Sequence, residues 1–185
     1  MRQPVYLKQI SATKQQGFAL FIVLMIMIVI ALLVVAATQS YNTEQRISTN
    51  DADRKLATSL AEAALRQGER EIIPLEDGSA TFTAECTNGL CQATGAPTGV
   101  NGNITVTGSH ETEAWLRYCE NQRRCLEVNG REFTVGGNIS RNPRYIIEYL
   151  STDATSGQTF YRVTAKAWGK NENTQVVLQS YVSNE

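Results

Sequence analysis

Hydrophobic and polar residues form three patterns along this chain, and the first is a continuous apolar run. Residues 18–37 contain no charged residue, no glycine and no proline. At about 1.5 Å of rise per residue, such a run of helix extends over roughly 30 Å, which is the thickness of the hydrocarbon core of a bilayer. The run therefore predicts a membrane-spanning helix.

Two other interpretations of the run fit less well. A cleaved secretory signal has an apolar region of about 7–15 residues followed by a site of small residues. This run is longer, and Ala36, Ala37 and Thr38 form only a weak site. A helix buried in a soluble core carries polar residues on one face, and this run has none.

The second pattern is that of an amphipathic helix, and it follows the apolar run without a break. Residues 18–73 contain no proline, and Gly68 is their only glycine. We predict one helix from Phe18 to about Ile73, ended by Pro74. Its second half carries a weak stripe at spacings of three, four and seven, which allows another element to approach closely. The members of this stripe are Ile47, Arg54, Ala57, Ala61, Ala64, Leu65 and Ile72.

The third pattern is the alternation of β-strands, and it closes the chain. Residues 144–150, 159–168 and 174–182 alternate, and their short polar connections predict an antiparallel meander over residues 143–183. The middle strand has a small face, formed by Val163, Ala165 and Ala167, on which a helix can lie.

An insertion over residues 75–142 separates the helix from the meander. Within it, residues 80–86 and 103–108 alternate like strands. Residues 109–119 predict a short helix with Ser109 as its N-cap. A long helix followed by a largely antiparallel sheet makes the chain an α+β protein.

The distribution of charge indicates how the apolar run is oriented. The segment before residue 18 holds Arg2, Lys8 and Lys14 and no acidic residue, which leaves 14 basic against 18 acidic side chains after it. The positive-inside rule then places the N-terminus in the cytoplasm and the rest of the chain outside the membrane. The net negative charge of that part argues against binding to nucleic acid.

Four cysteines, Cys86, Cys91, Cys119 and Cys125, all lie in the insertion. An even number in an exported domain indicates two disulfides, for which three connectivities are possible. The Asn-Gly pair at residues 88–89 is a hairpin signal that would set Cys86 opposite Cys91, so we favour Cys86–Cys91 and Cys119–Cys125. A four-cysteine zinc site is the alternative, but the spacings are looser than zinc sites use.

No residue pattern indicates catalysis. His110 is the only histidine, at the polar start of the predicted short helix, and any Ser-His-Asp or Cys-His nucleophile would need it. No glycine-rich phosphate loop is present. We predict that the chain is not an enzyme and uses no metal or cofactor.

The N-terminal pattern resembles that of a type IV prepilin. A short basic leader ends in Gly17, Phe18 follows, and GFALFIVLM is similar to the GFTLIELM-like start of these proteins. Residues 53–71 resemble the region after the anchor in PilX-type proteins, and residues 144–182 resemble the C-terminus of one minor pilin of that subclass. The resemblance covers most of the chain but not the insertion.

The resemblance implies a type IV pilin fold, in which a long N-terminal helix packs on an antiparallel sheet. It makes residues 1–17 the leader, 18–38 the membrane and filament-core helix, and 39–185 the periplasmic domain. Gly17 then precedes the bond that prepilin peptidase cuts, and Phe18 is the first mature residue, which the same enzyme N-methylates. The fifth mature position, usually Glu, is Ile22, and lack of that Glu marks the PilX- and GspK-like minor pilins.

Two functions are compatible with this resemblance. The first is a minor pilin that joins a tip complex and primes pilus assembly, and the second is a pilin displayed along the filament for adhesion or aggregation. The implied partners are other minor pilins, the major pilin, prepilin peptidase, inner-membrane lipid and the pilus assembly machinery. The implied location is the inner membrane, with the C-terminal domain in the periplasm, and the pilus after assembly.

Overall fold

The computed structural model describes residues 16–184, without the side chains of residues 16, 39, 40, 42, 43, 76 and 121. The chain divides into two compact units, with Thr49 as the first residue of the second unit. Helix α1, Gln16–Asp77, contributes residues to both units. The leader predicted over residues 1–17 lies outside the described residues except for its last two positions.

In the first unit, α1 carries a long apolar segment that is exposed. The segment Gly17–Thr38 has a mean hydropathy of 3.5 and no buried position, and it is the one described segment long and apolar enough to cross a membrane. An apolar helix with no protein around it requires an apolar environment, which lipid or neighbouring helices can supply. The predicted membrane helix is thus present as a helix of the right length.

In the second unit, α1 buries a narrow stripe of mostly small residues. The buried positions are Ala57, Leu60, Ala61, Ala64, Gly68 and Ile72. The predicted stripe began too early, because Ile47 and Arg54 are both exposed. It also omitted Gly68, the position at which the helix comes nearest to the sheet.

The helix ends four residues later than predicted. Pro74 lies inside the last turn of α1, which continues to Asp77. Proline removes one N–H and one hydrogen bond, which a terminal turn can tolerate. Buried Ile72 and partly buried Leu75 contact the main core cluster and hold this turn against the sheet.

All eight strands in the described part of the chain belong to one sheet. The strands are β1 Ala80–Thr83, β2 Leu90–Gln92, β3 Gly99–Asn101, β4 Ile104–Thr107, β5 Arg131–Glu132, β6 Arg144–Thr152, β7 Thr159–Trp168 and β8 Gln175–Ser183. Their order is β3-β4-β1-β2-β6-β7-β8, with β5 paired to β6. The predicted meander is confirmed, because β7 pairs antiparallel with both β6 and β8.

The insertion extends this sheet instead of forming a separate unit. Strand β2 pairs parallel with β6, and β1 pairs parallel with both β2 and β4. Strand β3 pairs antiparallel with β4 and forms a hairpin with it. The predicted hairpin at Asn88-Gly89 is wrong, since these residues belong to a 3-10 turn between parallel strands.

One face of the sheet packs against α1. Side chains at alternate strand positions share a face, and Val163, Ala165 and Ala167 are all fully buried, as the small face of β7 predicts. A Cβ atom added at Gly68 would lie 2.6 Å from Cγ1 of Val163. The helix and the sheet are therefore in contact at the distance that glycine allows.

The insertion covers the opposite face of the sheet. Ile146 of β6 packs there with Ala114, Leu126 and three of the cysteines. The short helix predicted over residues 109–119 is wrong, because only Ala114–Leu116 forms one 3-10 turn. A second short helix, α2, Cys125–Val128, follows it.

Candidate functional site

The residues predicted to be processed lie in the first turn of α1. Gly17 and Phe18 are both exposed, Phe18 with 69% of its surface. A Cβ atom at Gly17 would meet no other atom within 4 Å among the described residues, so packing does not require glycine there. Cleavage after Gly17 and N-methylation of Phe18 remain predictions.

Ile22 lies one turn beyond Phe18 on the same side of the helix. Residues four apart in a helix are surface neighbours, and Ile22 is 41% exposed. Any charge on the α-amine of residue 18 would thus have an apolar side chain beside it within the same chain. The role of Ile22 as the missing-Glu position also remains a prediction.

Two disulfides join the cysteines in the favoured pairs. Cys86 bonds to Cys91 with their Cα atoms 4.1 Å apart, and Cys119 bonds to Cys125 with their Cα atoms 5.0 Å apart. Cys86, Cys91 and Cys125 are buried. Since these cysteines are oxidised, they provide no thiolate nucleophile and no zinc ligand.

A buried arginine connects the two disulfide loops. Arg117 is 1% exposed, and its guanidinium donates hydrogen bonds of 2.8 Å each to the backbone carbonyls of Ala84, Gln92 and Thr112. Burial lowers the pKa of Arg117 from its ordinary value. Each of the three guanidinium nitrogens thus has a carbonyl acceptor, which matches the fork of donors that guanidinium presents. Arg117 therefore fixes the segment between the disulfides to the edge of β2.

A second buried charge cluster lies on the insertion face of the sheet. Arg162 of β7 donates two hydrogen bonds, of 2.7 and 2.8 Å, to the carboxylate of fully buried Glu148 on β6. Arg162 also pairs with Glu113 of the insertion. The hydrogen bonds that Arg162 donates to Glu148 raise the pKa of Arg162 above its ordinary value. The Arg162 guanidinium is paired with both carboxylates, which is typical of a structural role.

An aspartate at the start of the second unit contacts the turn between β7 and β8. The Asp53 carboxylate accepts hydrogen bonds from the backbone N–H of Lys170 at 2.6 Å and of Asn171 at 3.3 Å. A hydrogen bond from the Thr174 side chain is the first cause that lowers the pKa of Asp53. A cleft of about 480 Å³ lies beside these residues and is lined also by Leu56.

The described residues contain no arrangement suited to catalysis. His110 is exposed in a loop, where its Nδ1 accepts a hydrogen bond of 2.9 Å from the Thr112 N–H. Within residues 16–184 no group of three His, Cys, Asp or Glu residues could hold a metal ion. A nucleophile–base pair would need His110, and nothing nucleophilic contacts it in this part of the chain.

Sequence analysis missed Arg117, Asp53 and the Glu148–Arg162 pair. Glu148 and Arg162 lie on two strands that were predicted to be adjacent. Opposite charges on neighbouring strands could have indicated a buried ion pair between them. Arg117 and Asp53 act through backbone groups far along the chain, and no local pattern marks them.

The helix, the sheet and the anchor define a membrane-anchored α+β protein of the pilin kind. Residues 87–184 match the family model of the C-terminal part of the type IV pilus assembly protein PilX, and residues 16–66 match the PilX N-terminal model. The first match covers more than half of the chain, so the chain belongs to the PilX family of type IV pilus assembly proteins. No curated protein and no solved structure matches it.

Membership of this family makes the chain a minor pilin of the type IV pilus. Pilins are structural proteins, which agrees with the expectation that the chain is not an enzyme. The exposed apolar segment Gly17–Thr38 fits a membrane anchor that associates with the pilus.

Proposed function

We propose that this minor pilin joins a complex at the pilus tip and primes assembly of the filament. The observation that supports this most is the combination of the PilX family match with an apolar residue at position 22. In pilins that carry Glu at this position, the carboxylate of an incoming subunit pairs with the terminal amine of the subunit above it.

The electrostatics of a filament end favour Ile22 over Glu. A buried carboxylate without a partner costs several kcal/mol, and a subunit at the tip has no amine above it. Ile22 leaves no unpaired charge there. The α-amine that cleavage would create on Phe18, charged near neutral pH, can still receive the Glu of the subunit below.

The same apolar helix serves both stages of this function. Before assembly, Gly17–Thr38 anchors the chain in the inner membrane, with the leader in the cytoplasm and the domain in the periplasm. Prepilin peptidase cuts after Gly17 and methylates Phe18. The helix then moves from lipid into a bundle of similar helices, because the two surroundings are similar solvents for apolar side chains.

The partners follow from this sequence of events. They are prepilin peptidase and lipid first, then other minor pilins, the assembly machinery and the major pilin. Within the family, the resemblance of residues 144–182 to the C-terminus of PilK makes a PilK-like role the most specific form of the proposal.

Deletion and point substitution test the priming function. Cells without the chain should carry far fewer pili while the major pilin stays abundant in the membrane. Wild-type protein should restore the pili, whereas Ile22→Glu should restore them equally or less well and never better. Normal pilus number in the deletion strain would contradict priming.

An adhesion or aggregation function is the second candidate, and one exposed feature favours it. Tyr118 precedes the Cys119–Cys125 loop, is 60% exposed, and has the Arg124 guanidinium 4.1 Å from its ring centre. An aromatic residue held in place on a disulfide-bonded loop is suited to contact another surface. Pili that assemble normally in the deletion strain but fail to bundle or adhere would support this candidate.

A further inference from the structure

The last strand of the sheet has one unpaired edge. Among the described strands, β8 pairs only with β7, over nine residue pairs. Nine residues at about 3.3 Å each make an edge of roughly 30 Å. Its sequence, QVVLQSYVS, contains no charged residue and no proline.

The register shows which backbone groups face outward. At one end of the pair, the Gly169 N–H donates 2.9 Å to the Thr174 carbonyl, and at the other the Asn184 N–H donates 3.2 Å to the Thr159 carbonyl. Because antiparallel residues alternate between facing toward and away from the partner, even-numbered residues of β8 bond to β7. The N–H and C=O groups of the odd-numbered residues therefore point to the open edge. These are Gln175, Val177, Gln179, Tyr181 and Ser183.

This edge lacks the features that normally prevent strand addition. Proteins protect long edges with charges, proline, bulges or very short strands. The opposite edge strand, β3, has only three residues and begins with Gly99, so its length protects it. Strand β8 is three times as long, and its pairing with β7 contains no bulge. Val177 and Tyr181 are exposed on it.

We propose that the open edge of β8 binds an extended strand of another pilus subunit, which continues the sheet. The added strand would pair with the outward N–H and C=O groups and carry apolar side chains at alternate positions, beside partly buried Val176, Leu178 and Val182. An uncharged strand is the occupant, since β8 offers no charge to pair with one. This inference rests on the proposed function for the identity of the partner.

Symmetry restricts how a second copy of this chain could act as that partner. Two identical open edges that pair symmetrically must run antiparallel about an axis perpendicular to the sheet, because the slanted parallel ladder lacks this symmetry. A strand from a different subunit has no such restriction and can pair with β8 in either direction. A crosslink to a second copy is the outcome that would contradict this choice of partner.

Photo-crosslinking in piliated cells tests the proposal with the full chain. A benzoylphenylalanine at Tyr181, which is 70% exposed, should crosslink to a strand segment of another pilin, identified by mass spectrometry of the joined peptides. Val177→Pro removes one outward N–H but no β7–β8 hydrogen bond, and should lower the crosslink yield at least fivefold. Val177→Ala keeps that N–H and should leave most of the yield.

A second variant and a folding check keep the outcomes distinct. Gln175→Pro also removes an outward N–H, at the first strand position, where proline is tolerated. It replaces Val177→Pro in the test if that variant does not accumulate with both disulfides oxidised, and it should lower the crosslink yield in the same way. No crosslink, an equal yield in the proline variants, or a crosslink to a second copy would each overturn the proposal. If pilus number still falls on deletion, the priming function stands and only the edge pairing is wrong.

Discussion

Gly68 sets the distance between α1 and the sheet. Its missing side chain allows the helix backbone to lie against Val163 and the ring of Tyr145, whose Cδ2 would be 3.0 Å from an added Cβ. Close packing of this kind leaves no room for relaxation, because both neighbours are themselves fully or nearly fully buried.

We predict that Gly68→Val destabilises the protein by about 2 kcal/mol or more, because overpacking forces the helix away from the sheet. Arg66→Val is the matched control, since it adds the same β-branched residue to the exposed face of the same helix. Thermal unfolding of the two variants should separate them clearly. Equal melting temperatures would show that the helix is not held at this distance.

Glu71 links the stability of the helix–sheet contact to pH. Its carboxylate accepts a hydrogen bond of 2.6 Å from the Tyr145 hydroxyl and pairs with Arg131. Burial opposes ionisation, but hydrogen bonds from Tyr145, Arg131 and Gln67 outweigh it and lower the pKa of Glu71 from 4.5. Burial and the bond to Glu71 raise the pKa of Tyr145 in turn.

We predict that Glu71→Gln costs about 1–2 kcal/mol near neutral pH. A carboxylate with a lowered folded pKa stabilises fully above its unfolded pKa, and that contribution is lost as the pH falls through the folded value. The difference between wild type and variant should therefore shrink below about pH 4.5. Tyr145→Phe should show the same pH dependence in denaturant unfolding, and a difference independent of pH would contradict the assignment.

The elements that sequence predicted well are those held by local patterns. The apolar run, the small stripe of α1 and the three strands of the meander are set by periodicity within one segment. The parallel pairing of β1, β2 and β4 could not be predicted, because it depends on contacts between distant segments. The segment over residues 109–119 carries helix signals, but Arg117 bonds to carbonyls from β1, β2 and its own loop, and this tertiary contact overrides them.

At the candidate site, the pairing of the four cysteines was predicted correctly, but the local geometry of the first pair was not. The roles of Gly17, Phe18 and Ile22 stay predictions. The disulfide Cys86–Cys91 was favoured for a hairpin that does not exist, since Cys86 lies in the left-handed region with φ of 60° before a 3-10 turn. The two cysteines are close enough in sequence to pair without a hairpin between them.

The Cys119–Cys125 disulfide stabilises the part of the insertion that packs on the sheet face opposite α1. We predict that replacing both Cys119 and Cys125 by serine costs about 2 kcal/mol, the loop-closure value for so short a loop. Proteolysis should then cut first near residues 118–125, while β6, β7 and β8 stay protected. A melting temperature unchanged from that of the oxidised protein would contradict this role.

At the scale of the whole molecule, cleavage of the leader at the N-terminus would convert the precursor into the mature protein. We predict that the mature protein begins at Phe18 and that Gly17→Ser leaves a longer precursor retained in the membrane. The domain should fold normally in this variant, because no described atom packs against Gly17. N-terminal sequencing of the membrane-extracted protein measures this, and an intact leader on functional protein would contradict processing.

The location of the chain on assembled pili tests the central claim most directly. Immunogold labelling of sheared filaments, with antibody against the folded domain, counts the copies and gives their positions. Because Ile22 cannot pair with the terminal amine of a subunit above it, we expect this chain at the tip. The antibody should then label only a few sites per filament, all at one end. Labels spread evenly along the shaft would contradict tip priming and favour the adhesion function.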